Sequence, residues 1–367
     1  MFFTLLVLVG TLLHGYVWWR LGSLPWLRDQ LSPVQLWAVG GALWLLYLAG
    51  ALFGHNSREG IGHWLDSFTL NWLAVLFLTA TCLLAVDLLG GFGWWWTCRL
   101  TVLRSGALAV AALLVAVALV QGLRAPVVTR YEVSLRGLPR ALDGTRVVAL
   151  SDLHLGAQLG PRWLAARVTQ VQALHPDLVV LVGDLFEGHG PPDPALAQVL
   201  RGLSAPLGVY AVTGNHEFYG DAGALALTND AGIRWLNDRW VALRPGLTLV
   251  GIDDLTLRAR RSVSLEVLPK ALAGRPAGAG ILLSHTPWQA DQAAALGVGL
   301  MLSGHTHGGQ IWPFGYLVRY FYPLFAGRSQ VDGMTVIVSR GTGLWGPRMR
   351  LWRPGEILAV TLRASPP

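Results

Sequence analysis

Four apolar stretches fill the first third of the chain and rule out an ordinary water-soluble fold there. They cover residues 2–19, 34–53, 68–89 and 107–123. Each approaches the ~20 residues a helix needs to cross a bilayer. In hydrocarbon every backbone polar group must be satisfied within the segment, so such runs are helical. The first run has no basic start, and no small-x-small cleavage site precedes the second. It reads as an uncleaved span or anchor, not a removed signal. Trp18, Trp19, Trp26, Trp94, Trp95 and Trp96 flank the runs, where aromatic belts sit. Asp87 falls inside the third run and is expected to sit near the interface.

Residues 1–124 are therefore expected to form an all-α domain of four transmembrane helices in a multi-pass cell-membrane protein. Arg20, Arg28, Arg99 and Arg104 stand in the first and third loops. Arg58, Arg124, Arg130, Arg136 and Arg140 stand on the other side, so basic residues set no orientation. Four spans put the amino terminus and the later domain on one side, without saying which.

Charge narrows the partners. The chain carries 28 basic and 21 acidic residues, a net +7. This modest surplus suits anionic substrates or membrane lipid headgroups. It is too diffuse for a nucleic-acid footprint, and no basic helix or RNA-binding motif is present. Cys82 and Cys98 both lie in the apolar third, so residues 125–367 have no disulfide and no thiolate site. Nothing in the sequence sets an oligomeric state.

From residue 125 short apolar runs alternate with amphipathic helical patterns, which implies an α/β layered domain over 125–367. Strands are expected at 146–151, 178–182, 208–213, 247–252, 281–284, 298–302, 335–339 and 357–362. Helices are expected at 161–175, 194–203, 222–231, 265–272 and 288–296. Five of the strands run straight into Asp, Asn or His. The first leads to Ser151-Asp152-Leu153-His154, the second to Gly183-Asp184 and the third to Gly214-Asn215-His216-Glu217. The others lead to Ser284-His285 and to Ser303-Gly304-His305-Thr306-His307-Gly308-Gly309-Gln310.

Asp152 and His154, like His305 and His307, are spaced i, i+2, so each pair can face one ion. Sites in layered α/β folds form at the carboxyl ends of strands. Carboxylate, amide oxygen and imidazole together suit Mn²⁺, Fe²⁺ or Zn²⁺. The donors outnumber what one ion needs, so two divalent metal ions sharing a carboxylate is the economical reading. A set of five unrelated cap or turn residues is the competing one.

This ordered set resembles the calcineurin-like metallophosphoesterase superfamily. Gly-His-Thr-His-Gly-Gly-Gln, with Ser339-Arg340-Gly341-Thr342-Gly343 and Pro347-Arg348, is similar to its membrane-associated bacterial branch. That branch includes phosphodiesterases and pyrophosphatases acting on lipid precursors. The resemblance covers residues 146–362 and implies two facing β-sheets flanked by helices, a two-sheet α/β sandwich. It assigns Asp152, His154 and His307 to one metal and Asn215, His285 and His305 to the other, with Asp184 bridging. His216 would not be a ligand but would protonate the leaving oxygen or stabilise its charge. The family pattern has an Asp three residues after the bridging Asp to orient that histidine; here the position holds Glu187.

The expected function is metal-dependent hydrolysis of a phosphodiester or pyrophosphate, on a lipid-linked or amphipathic phosphoester substrate. The expected attack is by a metal-bound hydroxide, without a covalent intermediate. No Gly-x-Ser-x-Gly elbow or Gly-x-x-x-x-Gly-Lys loop is present. The alternatives are a catalytically weak metal-binding membrane sensor or scaffold on the same fold, and a transporter-like protein for which only Asp87 speaks. Two further features lie outside the ligand set. Residues 311–317 and 320–325 form an aromatic loop suited to an acyl pocket, to the membrane interface or to ordinary packing. His189 and Arg348 are candidate phosphate contacts or plain surface residues.

Overall fold

In the computed structural model the described residues are 2–54, 60–95, 99–156, 158–187, 193–217 and 228–365. Arg58, Trp96, Cys98, His189 and most of the helix expected at 222–231 lie outside them. The chain forms two compact units. One is Met1–Leu123 with Gly346–Leu351; the other is Arg124–Trp345 with Trp352–Pro367.

The helical unit contains α1 (Phe2–Leu21), α2 (Pro25–Gln30), α3 (Pro33–Ala49), α4 (Gly60–Leu89) and α5 (Leu100–Leu123). With the π-helical continuation of α3 to Gly54, four segments among the described residues are long and apolar enough to cross a membrane. Both α4 and α5 begin well before their apolar runs, at Gly60 and Leu100. Helix propagation adds one hydrogen bond per residue, so it continues through polar His63 and Asp66 once nucleated. The start of α3 is fixed by a capping box. The Gln35 N–H donates to Ser32 Oγ at 3.3 Å, and the Ser32 N–H to Gln35 Oε1 at 2.9 Å.

Asp87 is more than an end-of-helix polar residue. It lies in the last turn of α4 yet is fully buried. It accepts from the Tyr16 hydroxyl at 2.5 Å and pairs with Arg20 Nε at 2.5 Å and Arg104 Nη2 at 2.9 Å. Arg20 and Arg104 therefore belong to α1 and α5, not to loops, and the carboxylate ties three helices together. Breaking such a pair leaves an uncompensated buried charge. The late segment Gly346–Leu351 completes this unit. The Arg348 N–H donates to Asn71 Oδ1 at 3.1 Å, and the Arg350 N–H to the Ala118 carbonyl at 3.0 Å. Arg348 thus belongs to the helical unit.

The second unit has two six-stranded sheets. The first orders β1 (Val127–Leu135), β12 (Glu356–Ala364), β2 (Arg146–Leu150), β3 (Leu178–Val182), β4 (Val209–Val212) and β5 (Arg234–Trp235). The second orders β10 (Gly327–Val331), β11 (Met334–Val338), β9 (Leu300–Ser303), β8 (Ala279–Leu283), β7 (Leu247–Gly251) and β6 (Arg239–Arg244). Alternation along the strands builds the layers. Val147 and Ala149 of β2 pack with Ile281 and Leu283 of β8 and Leu300 and Leu302 of β9 in the core between the sheets. Val148 and Leu150 face the other way, into a cluster with Leu164 of α6 (Pro161–Gln172) and Leu196 of α7 (Pro194–Leu200). The second sheet buries Val250, Leu282 and Met301 against Leu268, Ala271 and Ala293 of its own helices. The result is the two-sheet α/β sandwich.

β2, β3 and β4 are parallel neighbours, as are β7, β8, β9 and β11. The carboxyl ends of β2, β3 and β4 thus lie at one edge of their sheet, and those of β8 and β9 at one edge of theirs. Among the described residues of this unit, four strands (β1, β5, β6 and β10) and two helices (Leu255–Arg260 and Phe314–Phe321) go beyond the sequence reading. The second of these helices replaces the expected aromatic loop.

Candidate metal centre

Each candidate ligand sits just past a buried strand, in a loop whose backbone is tied to its neighbours. The Asp152 N–H donates to the Gly183 carbonyl, the His154 N–H to that of Asp184 and the Gly304 N–H to that of His285, at 2.9–3.0 Å. The sheets are joined here as well. The His305 N–H donates to Asp152 Oδ1 at 3.0 Å, and His285 Nδ1 lies 2.8 Å from the Val182 carbonyl. Gly304 and Gly214 allow these approaches. A Cβ on Gly304 would collide with Ser151 and Asp152, and one on Gly214 with Asp184.

The backbone here is unusual. Asp152, His154, Asp184, His305 and His307 have φ of 54°, 46°, 52°, 71° and 50°. Non-glycine residues held in the left-handed region cost of order 1–3 kcal/mol each and cluster at functional sites. Here the five are all candidate ligands.

The side chains converge in two groups, Asp152 with His154 and His307, and Asp184 with His285 and His305. His154 Nε2 and His307 Nε2 lie 3.1 Å apart, with Asp152 Oδ1 3.4 Å from the latter. His285 Nε2 is 3.1 Å from Asp184 Oδ2 and 3.3 Å from His305 Nδ1. Asp184 Oδ2 is also 3.9 Å from His154 Nε2, so this carboxylate faces both groups.

The donor set fits divalent cations. A carbonyl partner for His285 Nδ1 makes that atom the proton carrier and leaves Nε2 as a lone-pair donor. Asn215 Oδ1 is buried and has no hydrogen-bond partner, an orphan that a cation would satisfy. All seven predicted ligands are thus in or beside one cluster.

Glu187 reaches two imidazoles. Its Oε2 contacts His154 Nδ1 and lies 3.2 Å from His216 Nδ1. The extra methylene over Asp still lets the carboxylate pair with His216. Glu187, His154 and His216 form a third cluster.

Charge is tightly balanced among these side chains. Burial disfavours charge on Asp184, yet His285, His216 and His154 hold it well below the usual carboxylate range. Burial likewise opposes protonation of His216, but Asp184 and Glu187 outweigh it and raise it to about 9. Burial, helped by the His285 charge, lowers His305 to about 4.

Two supports went unassigned in the sequence. The buried Glu217 carboxylate accepts the N–H groups of Asp184 at 2.9 Å, Leu185 at 2.6 Å and Gly214 at 2.6 Å. It lashes the Asp184 loop to the Asn215 loop. The late Ser339–Gly343 motif pins the first ligand loop. The Thr342 N–H donates to the Ser151 carbonyl at 2.7 Å, and the Gly343 N–H to that of Asp152 at 3.0 Å.

Residues 145–309 match the family model for calcineurin-like phosphoesterase. A transmembrane protein with metallophosphoesterase domain from Danio rerio is 37% identical, over 71% of this chain and 62% of that protein. Its Bos taurus counterpart is likewise covered over 62% of its length, so this chain spans about three-fifths of these relatives. An uncharacterized metallophosphoesterase of Aquifex aeolicus (strain VF5) is 34% identical, over 65% of this chain and 92% of that protein. A crystal structure of a dimetal phosphatase from Danio rerio aligns at a TM-score of 0.38 and 15% identity, covering 60% of this chain and 99% of that one. With nearly all of the Aquifex aeolicus relative matched and the whole ordered motif set gathered at one place in the fold, the chain belongs to the calcineurin-like phosphoesterase family.

Proposed function

We propose that the chain is a membrane-anchored phosphoesterase that uses two divalent cations to hydrolyse a phosphodiester or pyrophosphate in a lipid-linked or amphipathic substrate. The observation that carries this reading is the position of Asp184, whose Oδ2 faces both ligand groups. Asp152, His154 and His307 would hold one cation, and Asn215, His285 and His305 the other, with Asp184 shared. When bound, the cations would stabilise charge on the attacking and leaving oxygens of an in-line displacement.

The protein's own groups supply the rest. His216 carries a proton that Asp184 and Glu187 favour, and it would deliver it to the leaving oxygen. Glu187 holds the His216 ring from Nδ1, which leaves Nε2 as the atom that gives up the proton. Glu217 keeps the Asp184 and Asn215 loops in register. The lipid-linked substrate is supported by the four apolar helices, which confine the protein to the layer that holds such a molecule and raise their encounter concentration.

The test is a phosphate-ester screen on the full-length protein with Mn²⁺, Fe²⁺ or Zn²⁺. It includes a nitrophenyl phosphodiester and nucleotide-linked lipids. Cation-dependent hydrolysis, with higher kcat/KM for the lipid-linked esters, is expected. No hydrolysis with any cation, despite measured metal binding, would establish the scaffold reading instead. Equal preference for soluble esters would remove the lipid assignment alone.

A further inference from the structure

Beside the metal loops lies a surface that hydrolysis does not explain. The helix Phe314–Phe321 has no buried residue. Tyr316, Leu317, Tyr320 and Phe321 are 71%, 53%, 81% and 63% exposed. They are spaced i, i+1, i+4 and i+5, so they form one continuous face. A monomeric soluble protein rarely leaves such a patch open without a partner.

The inner side of the helix is firmly seated. A Cβ on Gly309 would collide with the Gly315 backbone, and one on Gly315 would press tightly on Phe325. Tyr322, the residue after the helix, places its hydroxyl 2.9 Å from His305 Nε2 and stacks on Trp288 at 6.0 Å. The outward face is therefore held rigidly rather than frayed open.

Charge indicates what covers it. From Ile311 to Val331 the sequence has no Asp or Glu but contains Arg319 and Arg328, both exposed. Tyr and Phe beside arginine, with no acidic residue, is the composition of a segment lying in the headgroup region of an anionic bilayer. Among its described residues the same chain carries four helices able to cross a membrane, so this surface is joined through the polypeptide to segments suited to a bilayer.

We infer that the face formed by Tyr316, Leu317, Tyr320 and Phe321 inserts into the headgroup–acyl boundary of an anionic membrane. Docking there fixes the helix that leads directly into Tyr322, and through the Tyr322 hydroxyl it fixes His305. The inference stands on exposure, spacing and charge, and does not require that the protein turn over any ester.

The test uses full-length protein in proteoliposomes of phosphatidylcholine and phosphatidylglycerol. Cys82 and Cys98 are replaced by Ala, and one environment-sensitive label is attached through Tyr320→Cys or, as control, through Asp332→Cys in an exposed turn. Dibrominated phosphatidylcholine should quench the label at 320 at least about twofold more than at 332, with a blue-shifted emission at 320 only. Equal quenching at both positions would overturn the inference. So would an unquenched label at 320 together with cross-linking between copies, because a second copy would then cover the face. Hydrogen exchange on the unmodified protein gives a check without substitutions. Amides of residues 314–321 should exchange several-fold more slowly in anionic than in purely zwitterionic nanodiscs, and unchanged rates would count against insertion.

Discussion

Glu217 offers the sharpest test of how this site is held together. Its carboxylate accepts three short N–H bonds, from Asp184, Leu185 and Gly214, in a place where water has no ready access. Glu217→Ala removes the acceptor and leaves three buried donors unmet. Each costs about 1–3 kcal/mol, so the low end of the sum is roughly 3 kcal/mol. For a unit of more than 200 residues, each kcal/mol lowers the melting temperature by about 2–4 °C, which gives a fall of roughly 6–12 °C. Glu217→Gln keeps the shape and one acceptor oxygen but turns an NH₂ group towards an N–H, so about half that loss is expected. The assay is thermal denaturation of the full-length protein in detergent, paired with metal content by elemental analysis. Both variants should also lose metal, because the loops of Asp184 and Asn215 part company. A Gln variant with unchanged melting temperature and full metal content would refute the reasoning and reduce Glu217 to a passive buried group.

Asp184→Ala should lower the metal content from about two ions per chain to near zero, since its carboxylate faces both ligand groups; elemental analysis showing full occupancy would remove the shared-ligand assignment. His216→Ala should keep its metals and lose about 10²–10⁴-fold in turnover, with a smaller loss for nitrophenyl than for alkyl esters because the better leaving group needs less protonation. In EDTA-treated protein His216 sits at about 9 against an ordinary 6.5, so the stability it contributes is complete below 6.5 and is lost as pH rises through about 9. Melting temperature should therefore fall across that window, less steeply in Glu187→Gln, and a rise would contradict the sign.

The site was legible because its chemistry sits on the strands' own punctuation. Runs such as Leu178–Val182 are buried on both faces, so they read as continuous apolar blocks, and the residue that ends each block is polar for a reason. The edges were harder. β1 begins with exposed and half-buried positions, carries Arg130 and Glu132 and reaches full burial only at Val133 and Leu135; β10 reads Gly-Arg-Ser-Gln-Val. Neither forms the continuous apolar block of the inner strands, because an edge strand with one solvated face mixes polar residues into its run. The helix Phe314–Phe321 reads as a loop because apolar side chains surround it, Pro313 precedes it and no side-chain cap marks its start. Glu217 is visible in the sequence, but its three bonds depend on two loops brought together only in the fold. The left-handed backbone at five candidate ligands leaves no trace in residue type, since Asp and His give little warning of it.

The route of Gly346–Leu351 through the helical unit has a consequence for how the protein is made. The Ala118 carbonyl waits for the Arg350 N–H, a residue synthesised more than 200 positions later. The first sheet waits as long, because β12 lies between β1 and β2 in the strand order. Translation thus delivers the closing pieces of both units in one short stretch, from Gly346 to Ala364. A nascent chain halted just before that stretch holds four apolar helices and eleven strands but has neither unit finished. Termination just before Gly346 would therefore yield a product exposed to quality control in both halves at once, rather than an anchor carrying a damaged domain.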